Sequence, residues 1–127
     1  MSLISNMISI IKVGHNAKHI QVKSRNSKLC VNILNILYKL GYIRGFVVEN
    51  KKEITVLLKY INNKPAIRNI QVVSTPGRRT YAKYKALRDK LQKKDNGFLI
   101  LSTNKGLLTD EESFFFSTGG EPLLKVS

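Results

Sequence analysis

His15 and His19 stand four residues apart, the spacing that on a helix would set two imidazoles on one face. A zinc site needs about two more ligands. The only cysteine, Cys30, lies in an apolar segment, and no Asp or Glu is near the pair in sequence. Gly14 argues against a helix through this stretch, so the expectation is two loop histidines facing solvent or phosphate, with no metal. Cys30 as a nucleophile would need an electropositive, partly exposed position. It falls one turn into an amphipathic segment and is expected to pack. Asp110-Glu111-Glu112 could pass for an acidic catalytic cluster. It follows Thr109, however, and Glu112 stands three places after that threonine, the pattern of a capping box at the positive end of a helix. With eight Asp and Glu and two His in 127 residues, no acid–base or metal constellation is visible. No enzyme, cofactor or small-molecule substrate is expected.

Other residues suit a polyanion. Val73-Ser74-Thr75-Pro76-Gly77-Arg78-Arg79-Thr80-Tyr81 sets two guanidinium forks on a stiff turn beside an aromatic ring, and those forks match phosphate geometry. Leu101-Ser102-Thr103-Asn104-Lys105-Gly106 puts small hydroxyl and amide side chains on a turn. Such a turn offers donors and acceptors at close backbone approach, which fits the wide minor groove of RNA and its 2′-hydroxyls. By composition alone, a plain surface turn is the favoured reading of either stretch. Phe114-Phe115-Phe116 could stack on bases. Three consecutive aromatics cannot share one helix face, and core packing is the expectation for at least one.

The charge balance points the same way. Twenty-two Lys and Arg against eight Asp and Glu give a formal charge of +14, with a pI near 10.1. Nucleic acid is the usual neutraliser, because cationic side chains displace the counterions condensed on phosphates. A membrane surface normally needs a basic block or a basic amphipathic helix, and here the charges run from Lys12 to Lys125. No apolar run reaches the ~18 residues of a transmembrane helix. The first residues carry neither a basic signal-peptide start nor an Arg-rich transit stretch.

The elements that must position these residues read as α+β in two small lobes. The first, residues 1–61, reads α-β-α-β-β. Leu3, Met7, Ile10 and Ile11 form a helical stripe over 3–12, closed by Gly14. A short strand follows, with Ile20 and Val22 on one face. Ser27 caps a helix whose stripe is Leu29, Ile33, Ile36, Leu37 and Leu40, with Gly41 just past its end. Strands Ile43–Val48 and Ile54–Ile61 flank a hairpin at 49–52. Asn62-Asn63-Lys64-Pro65 suggests a linker over 62–66. The second lobe, 67–127, reads as mostly β with short helices: a strand from Ile67 to Val73, a basic and partly helical stretch from Tyr84 to Lys94, a strand from Phe98 to Leu101, the Thr109-capped helix, a break at Gly119-Gly120, and a closing strand from Leu123 to Val126.

The order of these motifs resembles small-subunit ribosomal protein eight, the universal S-eight family, over nearly the whole chain. It is carried by Val73-Ser74-Thr75-Pro76-Gly77 with Arg79 and Tyr81, then Leu101 to Gly106, then Leu108-Thr109-Asp110, then Gly119-Gly120-Glu121. Met7, Ile10, Gly14, Ser27-Lys28-Leu29 and Leu40-Gly41-Tyr42-Ile43 match more loosely. The resemblance implies a structural constituent of the small subunit, without catalysis. It would bind a helix in the central domain of small-subunit rRNA, support assembly of that region, and touch neighbouring ribosomal proteins. It implies RNA contact by Ser102, Thr103, Asn104, Lys105, Gly106, Gly119, Gly120 and Glu121, with Tyr81 and Lys28 as further candidates. Arg78 and Arg79 join them as phosphate ligands. A free-standing RNA-binding regulator using the same surface is the alternative. Asn104 stands where the family usually has serine, Val72 where it often has arginine, and Phe114 to Phe116 are unusual. With the Ile, Asn and Lys bias of an AT-rich genome, these departures point to the mitochondrial ribosome and a gene in the organelle; plastid and bacterial cytoplasm are the alternatives.

Overall fold

Residues 3–72, 97–116 and 120–127 are described by a computed structural model, and the chain divides into two units, Met1–Arg68 and Asn69–Ser127. The stretch from Val73 to Asn96, with its Pro-Gly turn and basic segment, lies outside the described residues, as do Gly119 and the side chain of Phe114.

The first unit opens with α1 (Leu3–Asn16). The helix runs straight through Gly14, against the expectation that this glycine closes it. A Cβ at residue 14 would fall on Val22 Cγ1 and lie 3.1 Å from Leu58 Cδ1, so Gly14 marks a close approach of helix and sheet. The end comes at Lys18, with φ of +57°. Lys18 N donates to His15 O at 3.1 Å and His19 N to Gly14 O at 2.9 Å, the paired bonds of a Schellman cap. Next come β1 (Gln21–Arg25) and α2 (Lys28–Lys39). Ser27 caps α2 as expected, its side chain accepting from Cys30 N at 3.1 Å. Gly41, at φ +82°, takes the left-handed position past the other end.

β2 (Ile43–Val48) and β3 (Glu53–Leu58) form a hairpin, and β3 lies centrally in an antiparallel sheet of order β1-β3-β2. Asn50 Oδ1 ties the hairpin turn by accepting from Lys52 N and Glu53 N. The core comprises Met7, Ile8 and Ile11 of α1, Cys30, Ile33, Leu34 and Leu37 of α2, and Ile54, Val56 and Leu58 of β3. The helical stripes are therefore turned from those expected. Leu3, Leu29 and Leu40 are exposed, and Ile8, Cys30 and Leu34 are buried in their place. Ile20 is also exposed: it lies just ahead of β1, whose alternation turns Val22 and Ser24 inward. Residues 60–65 form a small hairpin, β4 (Tyr60–Ile61) with β5 (Lys64–Pro65). Asn62 and Asn63 carry φ of +53° and +65°, the two positive values of a type I′ turn, which asparagine tolerates.

The described residues of the second unit form one antiparallel sheet of order β6-β9-β7-β8 and a short helix: β6 (Ile70–Val72), β7 (Phe98–Thr103), β8 (Gly106–Thr109), α3 (Asp110–Phe115) and β9 (Glu121–Val126). Ile100, Leu101, Leu124 and Val126 are fully buried, and consecutive burial of Leu99, Ile100 and Leu101 marks β7 as covered on both faces. Proline inside β9 is tolerated for a local reason. Pro122 sits opposite Leu101 beside a register irregularity in the β7–β9 ladder, where regular pairing is interrupted. Thr109 and Glu112 make the expected capping box: Glu112 N donates to Thr109 Oγ1 at 3.3 Å and Thr109 N to Glu112 Oε1 at 3.2 Å.

Candidate nucleic-acid interface

β7 and β8 are joined by a tight loop in which Thr103 pairs with Gly106. Gly106 takes φ of +101° while Asn104 and Lys105 do not leave the negative range; glycine alone adopts that geometry without steric cost. Thr103 fastens the loop from inside. Its hydroxyl donates to Gly106 O at 2.8 Å and accepts from Lys105 N at 3.1 Å. The Thr103 hydroxyl proton is thus spent on loop shape. Ser102, Asn104, Lys105 and Gly106 are exposed around it.

The end of the chain meets this loop. Glu121 stands opposite Ser102 in the β7–β9 register. Gly120 is buried one residue earlier, and a Cβ there would lie 2.5 Å from Ser102 O and 2.8 Å from Thr103 Cγ2. No real Cβ sits that close to a main-chain oxygen, so only glycine lets the tail lie against the loop. Gly120 has no positive φ, and want of space is what requires it. Ser102 to Gly106, Gly120 and Glu121 therefore form one continuous surface, although 13 residues lie between Gly106 and Gly120.

α3 packs against β7 and β8 and carries aromatics to the rim of the loop. Phe115 is 79% exposed and Phe116 45%, and the side chain of Phe114, the remaining member of the run, lies outside the described residues. Leaving Phe115 in water forgoes most of the ~1.5–3 kcal/mol its burial would contribute. The two rings meet edge to face with centroids 5.2 Å apart, and Lys105 Nζ lies 4.7 Å from the centroid of Phe116. The stacking role offered for the phenylalanine run was legible in the sequence, but its approach to Lys105 of the loop was not.

The remaining candidates lie elsewhere. Lys28 is exposed at the first position of α2, in the first unit. A cation there opposes the helix dipole, and no acidic residue offsets it in the first turn. Arg78, Arg79, Tyr81 and Gly119 fall outside the described residues. His15 is not in a loop. It sits in the last turn of α1, buried, with its ring edge-on to Tyr60 at 5.5 Å and its Nε2 without a hydrogen-bond partner. Burial holds its pKa below the ordinary 6.5. His19 is exposed, and its carbonyl accepts from the Tyr60 hydroxyl at 2.6 Å. Cys30 is buried in α2. Among the described residues no three or more His, Cys, Asp and Glu converge, and no helix is long and apolar enough to cross a membrane.

A small basic α+β chain of this layout, with its loop and tail joined into one polar surface, has known counterparts. The family model of ribosomal protein S8 matches residues 2–127. The small ribosomal subunit protein uS8m of Acanthamoeba castellanii is 69% identical over the full length of both chains. The uS8 proteins of Shewanella denitrificans and Aliivibrio fischeri are 38% and 39% identical, each over 98% of this chain and 95% of their own. The chain belongs to the ribosomal protein S8 family, one of structural ribosomal proteins rather than enzymes. At 69% against 38% identity it falls with the mitochondrial protein rather than the bacterial ones, in line with the mitochondrial setting expected from its sequence.

Proposed function

We propose that the chain binds a helix in the central domain of small-subunit rRNA through the Ser102–Gly106 loop and the Gly120–Glu121 tail, and that it holds this region as the small subunit assembles beside neighbouring ribosomal proteins. The observation that carries this reading is the contact of Gly120 with the backbone of Ser102. It joins two separate sequence motifs into one exposed surface of hydroxyl, amide, ammonium and carboxylate groups. Small polar side chains on a fixed loop suit shape-dependent contact with 2′-hydroxyls and base edges, while the +14 charge supplies the sequence-independent attraction. Glu121 fits such a surface as an acceptor for a 2′-hydroxyl or a guanine amino group. Lys28, which is exposed, and Arg78, Arg79 and Tyr81 are the candidates for phosphate and stacking contacts beyond it.

The test separates recognition from bulk charge. Ser102→Ala should weaken the cognate rRNA helix by about three- to tenfold, the worth of one or two hydrogen bonds, and leave an unrelated RNA duplex nearly untouched. Thr103→Ser should bind like the parent, because it keeps the loop-fastening hydroxyl, whereas Thr103→Ala should not. Equal losses on cognate and unrelated RNA would remove the loop from recognition.

A further inference from the structure

We infer that Phe115 and Phe116, together with Lys105, form a seat on which one unpaired base of the rRNA stacks at the rim of the loop surface; this rests on the RNA-binding reading above. Phe115 has the greatest exposure of any large apolar side chain among the described residues. Its orientation is nonetheless defined, because its ring meets that of Phe116 edge to face at 5.2 Å and 87°. Phe116 in turn lies under the Lys105 ammonium at 4.7 Å. Lys105 belongs to the loop between β7 and β8, so a ligand on that loop lies beside the rings. The chemistry selects the occupant. An apolar protein segment covering these rings would also bury an ammonium without an anion, which is costly. A nucleotide offers both complements at once, a π face for the exposed ring and a phosphate for the ammonium. Every base has such a face, so the seat reads an unpaired position rather than a particular letter.

The experiment uses the full chain and a fragment of its own small-subunit rRNA spanning the central-domain helix, with 5-iodouridine placed at each unpaired position in turn. Irradiation of the complex should join one of these positions to Phe115 or Phe116, as mapped by mass spectrometry. Phe115→Leu keeps an exposed apolar side chain and removes the ring. It should lose that crosslink and bind about tenfold more weakly, whereas Phe115→Trp should retain both. A fragment in which the same position is base-paired should not distinguish Phe115→Leu from the parent. If the parent binds the fragment but Phe115→Leu binds it equally, the seat is refuted while the RNA-binding reading stands. If Phe115→Leu binds RNA normally yet is depleted from purified small subunits, the rings serve a protein neighbour and the inference is wrong. If the parent does not bind the fragment at all, both readings fall.

Discussion

Two glycines shape the candidate surface for different reasons. Gly106 supplies a backbone conformation, at φ +101° with nothing within 4 Å of where a Cβ would stand. Gly120 supplies room, 2.5 Å from the Ser102 carbonyl oxygen. Alanine at 120 must push β9 off β7 or twist the loop, and overpacking of this kind costs roughly 1–3 kcal/mol. Gly120→Ala should therefore destabilise the chain by about that amount, shift amide resonances within residues 98–109 and 120–126, and weaken rRNA binding. Unchanged Ser102 and Thr103 resonances with parent-like affinity would show that the tail is only a closing strand. Thr103 belongs to the same picture: its side chain shapes the loop from within while its neighbour Ser102 faces outward.

At the scale of elements, the end of α1 carries a pH dependence. His15 is buried in its last turn against Tyr60, and burial disfavours the imidazolium. The folded-state pKa lies below 6.5, so as pH falls through 6.5 the unfolded chain takes up the proton first. The stability present above 6.5 is then lost progressively down to the folded-state pKa. The parent should lose more melting temperature than His15→Gln between about pH 7.5 and about pH 5.5; equal losses would remove His15 as the cause. This same helix end was the least legible part of the sequence. Its cap is Lys18 in the left-handed region, where glycine would have been the signal, while Gly14 signalled an end that is a helix–sheet contact. Local signals were readable because their physics is local: the Ser27 cap, Gly41, the Thr109–Glu112 box and the Ser102–Gly106 turn all appear where the residues placed them. The buried faces were not. α2 offers two adjacent apolar rows, Leu29-Ile33-Ile36-Leu40 and Cys30-Ile33-Leu34-Leu37, and only the sheet decides between them. The Gly120–Ser102 contact was legible as a juxtaposition through the resemblance, but its cause, the lack of room, was not. Which of the three phenylalanines stand exposed was not legible, because large aromatic side chains usually pack inside and the sequence alone does not say which ring is covered.

At the scale of the molecule, a +14 chain of 127 residues is a polycation. Its affinity for rRNA should fall linearly in a plot of log affinity against log salt, because each neutralised phosphate releases counterions. With six or more phosphate contacts the loss between 50 and 200 mM potassium chloride should be roughly a thousandfold. Titrations at several salt concentrations give the slope directly, and a flat line would contradict binding through the basic surface. Salt should scale the affinity of cognate and unrelated RNA together, while Ser102→Ala separates them.

Two of the crowded glycines, Gly14 and Gly120, also differ in heredity. At Gly14 the obstacle is chiefly the side chain of Val22, so an alanine at 14 becomes tolerable once position 22 shrinks, and the two sites can drift as a pair. At Gly120 the obstacle is the carbonyl oxygen of residue 102, which every amino acid carries. No compensating substitution exists at that position. Among descendants of one ancestral gene, sites 14 and 22 should covary while 120 stays invariant, and an alignment of the family in which residue 120 varies freely would contradict the packing described for it.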